Sequence, residues 1–145
     1  MTICAAASAA QPESVNLAAG KNVISSNLPD SPFAIANLTD GDTSTMSEWI
    51  CTGAEKGLGL YIAVDLGDEY NITSVQLYGR QDQTGANAAR YGFEIQFSNS
   101  PDFQDYETAA GLTEQDDNAF PAKGSFTQEV SLTKQYRYVR LIRTQ

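Results

Sequence analysis

Short stretches in which apolar and polar residues alternate recur along this chain. The clearest is residues 90–97. Its apolar members occupy every second position and are Tyr91, Phe93, Ile95 and Phe97. Successive side chains of a β-strand point to opposite faces, so this spacing places four apolar side chains on one face. We expect this segment to be the central strand of a hydrophobic core.

Six further segments have strand-forming composition, and turn-forming residues separate them. They are residues 16–23, 60–67, 72–80, 106–110, 126–132 and 136–143. Short strands at regular spacing predict an all-β fold, a β-sandwich of antiparallel strands. One short helix is also predicted, over Phe33–Leu38, because Ser31 and Pro32 resemble an N-cap followed by a first-turn proline.

The length and composition fit one folded domain. A chain of 145 residues buries roughly two thirds of its unfolded surface. We predict a domain over residues 16–145, preceded by an arm of residues 1–15. Within the arm, Ala7-Ser8-Ala9 resembles the pattern before a signal-peptidase cut. The arm is therefore either the remnant of an export signal or a segment docked on the domain.

Charge and residue usage exclude several functions. A net charge of -9 makes nucleic acids and anionic lipids unfavourable partners, and no apolar run is long enough for a membrane helix. The chain has no histidine, which excludes histidine-dependent triads and the usual zinc-protease motifs. No pair of carboxylates stands out as catalytic. We therefore predict that the protein is not an enzyme.

The acidic turn Asp40-Gly41-Asp42 is a candidate metal site. Gly41 permits a positive φ, so the backbone can turn tightly enough to bring both carboxylates together. Ca²⁺ neutralises such a pair well, because it accepts carboxylate, carbonyl and hydroxyl oxygens alike. Residues 43–45 supply hydroxyl groups, although the spacing is not that of an EF-hand. The alternative is a solvated Asx turn without metal.

Five stretches together resemble one known family in their order and spacing. They are residues 16–18, residues 37–42 with Thr45 and Trp49, residues 64–67, residues 79–82 and residues 138–141. The family is that of the discoidin, or factor V/VIII type C, domains, and the chain is most similar to its bacterial family 32 carbohydrate-binding modules. The resemblance implies a jelly-roll sandwich of the galactose-binding type, a structural calcium ion, and a ligand site formed by loops at one end.

The resemblance also implies which residues hold the calcium ion. The positions that match the family's ligands are Asn37, through its backbone carbonyl, Asp40, Asp42 and Thr45. The family adds a glutamate from a last strand, which is not apparent before Gln145. Either that strand lies further on, or the N-terminal arm takes its place, in which case Glu13 is a substitute ligand.

A sugar site is implied around Arg80, which matches the family's arginine at the end of a strand. Its guanidinium is a rigid fork of donors for sugar hydroxyl groups. Further candidates for ligand contact are Gln81, Asn87, Arg90 and Trp49. Phe120 is the candidate aromatic plate for the C–H face of a sugar ring. Alternatively, Arg80 pairs with Asp82, Phe120 anchors its loop, and Trp49 lies in the core or the floor of the fold.

These features predict a non-catalytic, monomeric carbohydrate-binding module in a secreted, extracellular or periplasmic location. Galactose-binding relatives often use a histidine, which is absent here. That absence leaves room for another hexose, or for a uronic acid paired to Arg80, Arg90 or Lys123. The alternative function is a discoidin-type adhesion or phospholipid-binding domain. Cys4 and Cys51 form either a disulfide or two separately buried thiols.

Overall fold

The computed structural model describes residues 14–26, 34–44, 58–79, 91–113, 119–121 and 123–144. These residues contain seven β-strands and one short 3-10 helix, Ile35–Leu38. The strands are β1 Asn22–Ser25, β2 Tyr61–Tyr70, β3 Ser74–Tyr78, β4 Phe93–Ser98, β5 Glu107–Leu112, β6 Ser125–Glu129 and β7 Tyr136–Arg143. Six of the seven predicted strands are present with ends within about three residues of the predicted ones. The first strand, predicted over residues 16–23, begins only at Asn22, because residues 17–20 form a turn.

The strands form two antiparallel sheets. The larger sheet has the order β1-β2-β7-β4-β5, and the smaller sheet pairs β3 with β6. Every strand pair in the described residues is antiparallel. Side chains from both sheets share one hydrophobic core. The predicted all-β sandwich of antiparallel strands is therefore confirmed.

The core lies between the two sheets and is centred on β4. Phe93, Ile95 and Phe97 are exposed by only 6%, 1% and 0%. The ring of Phe126, from the smaller sheet, meets that of Phe93 edge-on with 6.2 Å between centroids. Other buried members are Leu66, Ile72, Leu112, Phe120 and Tyr136. The alternation of residues 91–97 thus predicted the central strand correctly.

The predicted helix is a single 3-10 turn, shorter than the stretch expected from sequence. Its end is bound to the chain before β1, because Thr39 donates from Oγ1 to the carbonyl of Lys21 at 2.8 Å. The carbonyl of Thr39 accepts a hydrogen bond from the Gly20 amide at 2.6 Å. These long-range bonds stop the helix at Leu38 and fix where the acidic turn leaves the body of the domain. The predicted cap at Ser31 lies outside the described residues.

A second, smaller apolar cluster lies on the larger sheet and is separate from the main core. Its buried members are Ala63, Phe103 and Tyr138, and Ile24 and Tyr61 pack against them. Ala63 is paired with Ile24 on β1, so their side chains share one face of the sheet. The next residue, Val64, packs against the main core, so this cluster lies on the side of the sheet away from the smaller sheet. We call this side the outer face of the larger sheet.

The loop of residues 99–106, between β4 and β5, covers part of this outer face. Ser98 is completely buried, donates from Oγ to the carbonyl of Asp105 at 2.7 Å and accepts from the Ser100 amide at 3.0 Å. Phe103 has a φ of 52° and is 4% exposed. The positive φ is unusual for a phenylalanine, and burial of the ring offsets its strain.

Several predictions fall on residues that the structure does not describe. These are most of the arm of residues 1–15, including Cys4 and Glu13, together with Thr45, Trp49, Cys51 and the segment 80–90. Within the described residues, no helix has both the length and the apolar character needed to cross a membrane.

Candidate functional site

Two segments assigned to the sugar site meet at one end of the sandwich. Gly79, which follows β3 and precedes Arg80, donates its amide to the carbonyl of Gly124 at 3.0 Å. The ring of Phe120 lies beside Gly79 so closely that an added Cβ would come within 3.3 Å of Cε2. We call this region the Gly79 end. Any larger residue at this position would require the strand or the Phe120 ring to shift by a few tenths of an ångström.

Phe120 is part of the core at the Gly79 end. It is only 7% exposed, and its ring centroid lies 6.0 Å from that of Phe126. A ring buried to this extent offers no open face to a sugar. The structure therefore favours the alternative in which Phe120 anchors its loop, and the expectation of an exposed aromatic plate at this residue is corrected.

Tyr78 is an exposed aromatic residue at the same end, and sequence reasoning did not select it. It is the last residue of β3, pairs with Ser125 of β6, and is 55% exposed. The relevant pattern was present, because Ser74, Gln76 and Tyr78 alternate onto one face of β3. An exposed tyrosine one residue before Gly79 is well placed to offer a ring to a ligand.

The remainder of the Gly79 end is polar. Gln76 Nε2 lies 3.5 Å from Ser125 Oγ, which is a long hydrogen bond across the smaller sheet. Lys123 is exposed, has a φ of 55° and is followed by Gly124. The other predicted ligand contacts lie outside the described residues and remain predictions; they are Arg80, Gln81, Asn87, Arg90 and Trp49.

The acidic turn forms two successive Asx turns. Gly41 has a φ of 81°, as its expected role requires. Asp40 Oδ1 accepts the amide of Asp42 at 2.8 Å. Asp42 Oδ1 in turn accepts the amide and the hydroxyl of Ser44 at 2.8 and 2.6 Å. The side chains of both aspartates are therefore held in fixed orientations by the turn itself.

The donor set of this turn is suited to a hard cation. Asp40 and Asp42 provide carboxylate oxygens, and Asn37 belongs to the adjacent 3-10 helix. Within the part of the chain that is described, no group of three or more Asp, Glu or Cys side chains is arranged to hold a metal ion. The predicted set contains only two such side chains, since Asn37 would act through its carbonyl, and Thr45 lies outside the described residues.

A partly exposed ion pair joins β2 to β7. Arg137 donates from Nε and Nη2 to the two carboxylate oxygens of Asp65, at 2.8 and 2.9 Å. This hydrogen-bonded guanidinium lowers the pKa of Asp65, and Asp65 raises the pKa of Arg137. The pair acts as a clamp between strands, so Arg137 is not a candidate ligand contact.

The family model of the F5/8 type C domain matches residues 22–145. The chain belongs to this family. The resemblance inferred from sequence is thereby confirmed over nearly the whole described structure. Comparison of this F5/8 type C domain with curated protein sequences gave no match.

Solved structures with the same fold include carbohydrate-binding modules and lectin domains. A module from Clostridium perfringens, CpGH89CBM32-4, in complex with GlcNAc-α-1,4-galactose, is 19% identical, with a TM-score of 0.60 over 96% of this chain and 85% of its own. The lectin domain of lectinolysin, complexed with Lewis B antigen, is 20% identical, with a TM-score of 0.65 over 92% of this chain and 89% of its own.

A third structure is chitosan-binding module 1 of a chitosanase/glucanase from Paenibacillus sp. IK-5. It is 20% identical, with a TM-score of 0.61 over 90% of this chain and 87% of its own. Likeness at this level of identity establishes the shared fold. The predicted jelly-roll sandwich of the galactose-binding type is therefore confirmed for this F5/8 type C domain.

Proposed function

We propose that this F5/8 type C domain is a non-catalytic carbohydrate-binding module that holds a glycan at the Gly79 end. The observation that carries the proposal is the exposed ring of Tyr78 beside the contact between Gly79 and Gly124. Arg80 directly follows Gly79 and matches the arginine of the family's sugar-binding members. The carbohydrate-binding modules and lectin domain that share the fold support the same function.

Tyr78 is assigned the role of aromatic plate, which the sequence had suggested for Phe120. Its ring provides an apolar plate for the C–H face of a sugar, and its hydroxyl is a donor and acceptor at the rim. Arg80 supplies the fixed donors that recognise hydroxyl groups. Phe120 supports this arrangement, because it is buried in the core and packs against Gly79, the residue before Arg80.

The ligand class follows from these groups. A tyrosine plate beside an arginine suits a hexose, and Lys123 and Arg90 add cationic groups that would favour a uronic acid. One short sugar buries little surface, so single-site affinity is expected to be roughly millimolar to tens of micromolar. A module of this kind attaches a protein to a glycan outside the cytoplasm. We expect it to act as a monomer in a secreted or periplasmic location.

The acidic turn is proposed to hold a structural calcium ion. The ligands would be the Asn37 carbonyl, the carboxylates of Asp40 and Asp42, and Thr45. The positive φ of Gly41 and the ordered carboxylates support this assignment. When bound, the ion would neutralise the two carboxylates and fix the turn against the domain. The turn and the Gly79 end belong to different connections of the chain, and we expect the ion to stabilise the fold rather than to contact the sugar.

A glycan array probed with fluorescently labelled protein tests the function. We expect the wild-type domain to bind at least one glycan class, and Arg80→Ala to lose most of that signal. Lys134→Ala is a matched control, since Lys134 is exposed and its contact with Asp105 is only a surface pair at 3.8 Å. Absence of binding to every glycan would refute the proposal.

The alternative of phospholipid binding is tested with the same protein and anionic vesicles. Because the net charge is -9, we expect no sedimentation with vesicles of phosphatidylserine. Vesicle binding together with an empty glycan array would replace the carbohydrate function with the phospholipid one.

A further inference from the structure

Three aromatic rings surround one arginine on the outer face of the larger sheet. The Arg140 Cζ atom lies 4.1 Å from the ring centroid of Phe103, 5.3 Å from that of Tyr61 and 5.6 Å from that of Tyr106. All three distances are within the range of cation–π attraction. Tyr61 belongs to β2 and Tyr106 directly precedes β5, so the two tyrosines flank Arg140 across the sheet.

A polar chain runs from this arginine to a carboxylate on β4. Arg140 donates from Nε, at 3.1 Å, and from Nη2 to the same oxygen of Gln96. Gln96 is only 4% exposed, and its Nε2 donates to Glu94 Oε2 at 2.8 Å. Gln96 is paired in register with Arg140. The guanidinium is thus held in one orientation by a buried amide rather than by a surface carboxylate.

The arginine retains donors that the described contacts do not use. A guanidinium has five N–H groups, and among the described residues only two of those of Arg140 have an acceptor. Burial among the rings lowers the pKa of Arg140, which indicates that its charge is partly removed from water. Donors that are partly dehydrated and unused are unfavourable in isolation. A ligand with oxygen acceptors would satisfy them.

Ligand access is provided by the exposed side of the group. Tyr106 is 49% exposed, and Tyr61, Glu94 and Arg140 are half-buried. Phe103, by contrast, is buried and packs against the guanidinium. Rings, N–H donors and a carboxylate acceptor therefore face one surface of the sheet. We call these residues the Arg140 cluster; they are Tyr61, Glu94, Gln96, Phe103, Tyr106 and Arg140.

The chemistry of the Arg140 cluster selects among ligand classes. A simple anion is disfavoured because Glu94 lies in the same cluster, and a wholly apolar partner would leave the donors of Arg140 unsatisfied. A neutral sugar chain needs donors and acceptors for its hydroxyl groups and aromatic rings for its C–H faces. The two tyrosines lie within 6 Å of one carbon atom, so a ligand of disaccharide size can contact both.

We propose that the Arg140 cluster is a second glycan-binding site, which takes a neutral oligosaccharide on the outer face of the larger sheet. It is distinct from the Gly79 end, which is formed by β3, Phe120 and Gly124. Two sites on different sides of one domain allow a single molecule to bridge two chains of a polysaccharide, or to bind one chain with increased avidity.

NMR titration of the isotope-labelled domain tests the second site. The probes are cellotetraose, tetra-N-acetylchitotetraose and β-1,4-galactotetraose. We expect at least one probe to shift the amide signals of Glu94, Thr108 and Arg140, in addition to any shifts at Gly79 and Ser125. Tyr106→Ala should weaken the first set of shifts at least tenfold, and Tyr106→Phe, which keeps the ring, should change the affinity less than twofold.

Variants separate this proposal from the one at the Gly79 end. Arg80→Ala should leave binding at the Arg140 cluster unchanged, and Tyr106→Ala should leave binding at the Gly79 end unchanged. Thermal unfolding of Tyr106→Ala provides the folding control, because an exposed tyrosine can be replaced with little loss of stability. If none of the probes shifts the sheet-face amides, or if Tyr106→Ala binds as tightly as the wild type there, the second site is refuted.

Discussion

The outer faces of the two sheets differ in how their aromatic and polar groups are arranged. On the smaller sheet, Tyr78 is largely exposed, and the donors proposed to act with it belong to the neighbouring 80–90 segment. On the larger sheet, Tyr61 and Tyr106 flank an arginine that a buried glutamine already orients. One site thus depends on a connecting segment, whereas the other is assembled on the strands. The two proposed sites would give a single sandwich two kinds of sugar surface.

Both faces depend on the core between them, so removing a core ring should produce the largest effect. Phe97→Ala deletes a completely buried side chain of β4 and should lower the free energy of unfolding by about 3–5 kcal/mol. Chemical denaturation measures this change. Leu58→Ala is the control, because Leu58 is 72% exposed and its loss should alter stability by less than about 0.5 kcal/mol. Equal stabilities of the two variants would show that β4 is not the centre of the core.

Calcium removal should affect stability more than sugar recognition. If the acidic turn binds Ca²⁺, a chelator should lower the free energy of unfolding by about 2–4 kcal/mol, depending on the ratio of free calcium to its dissociation constant. Differential scanning calorimetry with and without EDTA measures the accompanying drop in Tm. Asp40→Asn should have a lower Tm and respond less to the chelator. A Tm that is the same with EDTA and with calcium would mean that the turn holds no structural ion.

The variant Tyr78→Ala tests whether glycan binding takes place on the smaller sheet rather than on the larger sheet. Loss of the ring should weaken glycan binding at the Gly79 end about tenfold, or ~1.4 kcal/mol, since the plate is lost while the donors remain. Tyr78→Phe should bind within about twofold of the wild type. Isothermal titration with the best glycan measures both affinities. Unchanged affinity of Tyr78→Ala would remove this tyrosine from the site.

Acidic pH should weaken the hydrogen bonds that Glu107 and Asp65 accept on the larger sheet. The resulting loss of stability should be smaller than the effects above. Hydrogen bonds from Thr133 and Tyr136 lower the pKa of Glu107, and Arg137 lowers that of Asp65. For a carboxylate whose pKa is lower in the folded state, the stabilisation is present above its unfolded pKa and is lost as the pH falls through the folded value. We therefore expect Tm to fall below about pH 4, near the unperturbed values of Asp and Glu.

Glu107→Gln provides the check on this pH dependence. Because the variant cannot take up that proton, its Tm should decline less steeply between neutral and acidic pH than that of the wild type. Scanning calorimetry at a series of pH values measures both curves. Parallel curves would show that Glu107 does not contribute to the acid sensitivity.

The strands could be predicted from sequence because their evidence is local. Alternation in residues 91–97 is enough to place Phe93, Ile95 and Phe97 on one face, whichever strands pair with β4. The positive φ of Gly41 could be predicted for the same reason, since it follows from the turn that Asp40 and Asp42 form around it. The family resemblance added the order of the elements, which periodicity alone does not supply.

The burial of Phe120 could not be predicted in the same way. It lies in an irregular segment beside Pro121, where no period indicates which way a side chain points, and its contacts with Gly79 and Phe126 are distant in sequence. The Arg140 cluster was missed for a related reason. Its assembly needs the register of β7 with β4 and the folding of residues 99–106 over the sheet.

The proposed sugar site at the Gly79 end is tested most directly by a crystal structure of the domain with the best-binding glycan from the array. We predict that a sugar ring stacks on Tyr78 and that Arg80 donates hydrogen bonds to its hydroxyl groups. A glycan that is bound elsewhere, with no contact to Tyr78 or Arg80, would contradict the assignment.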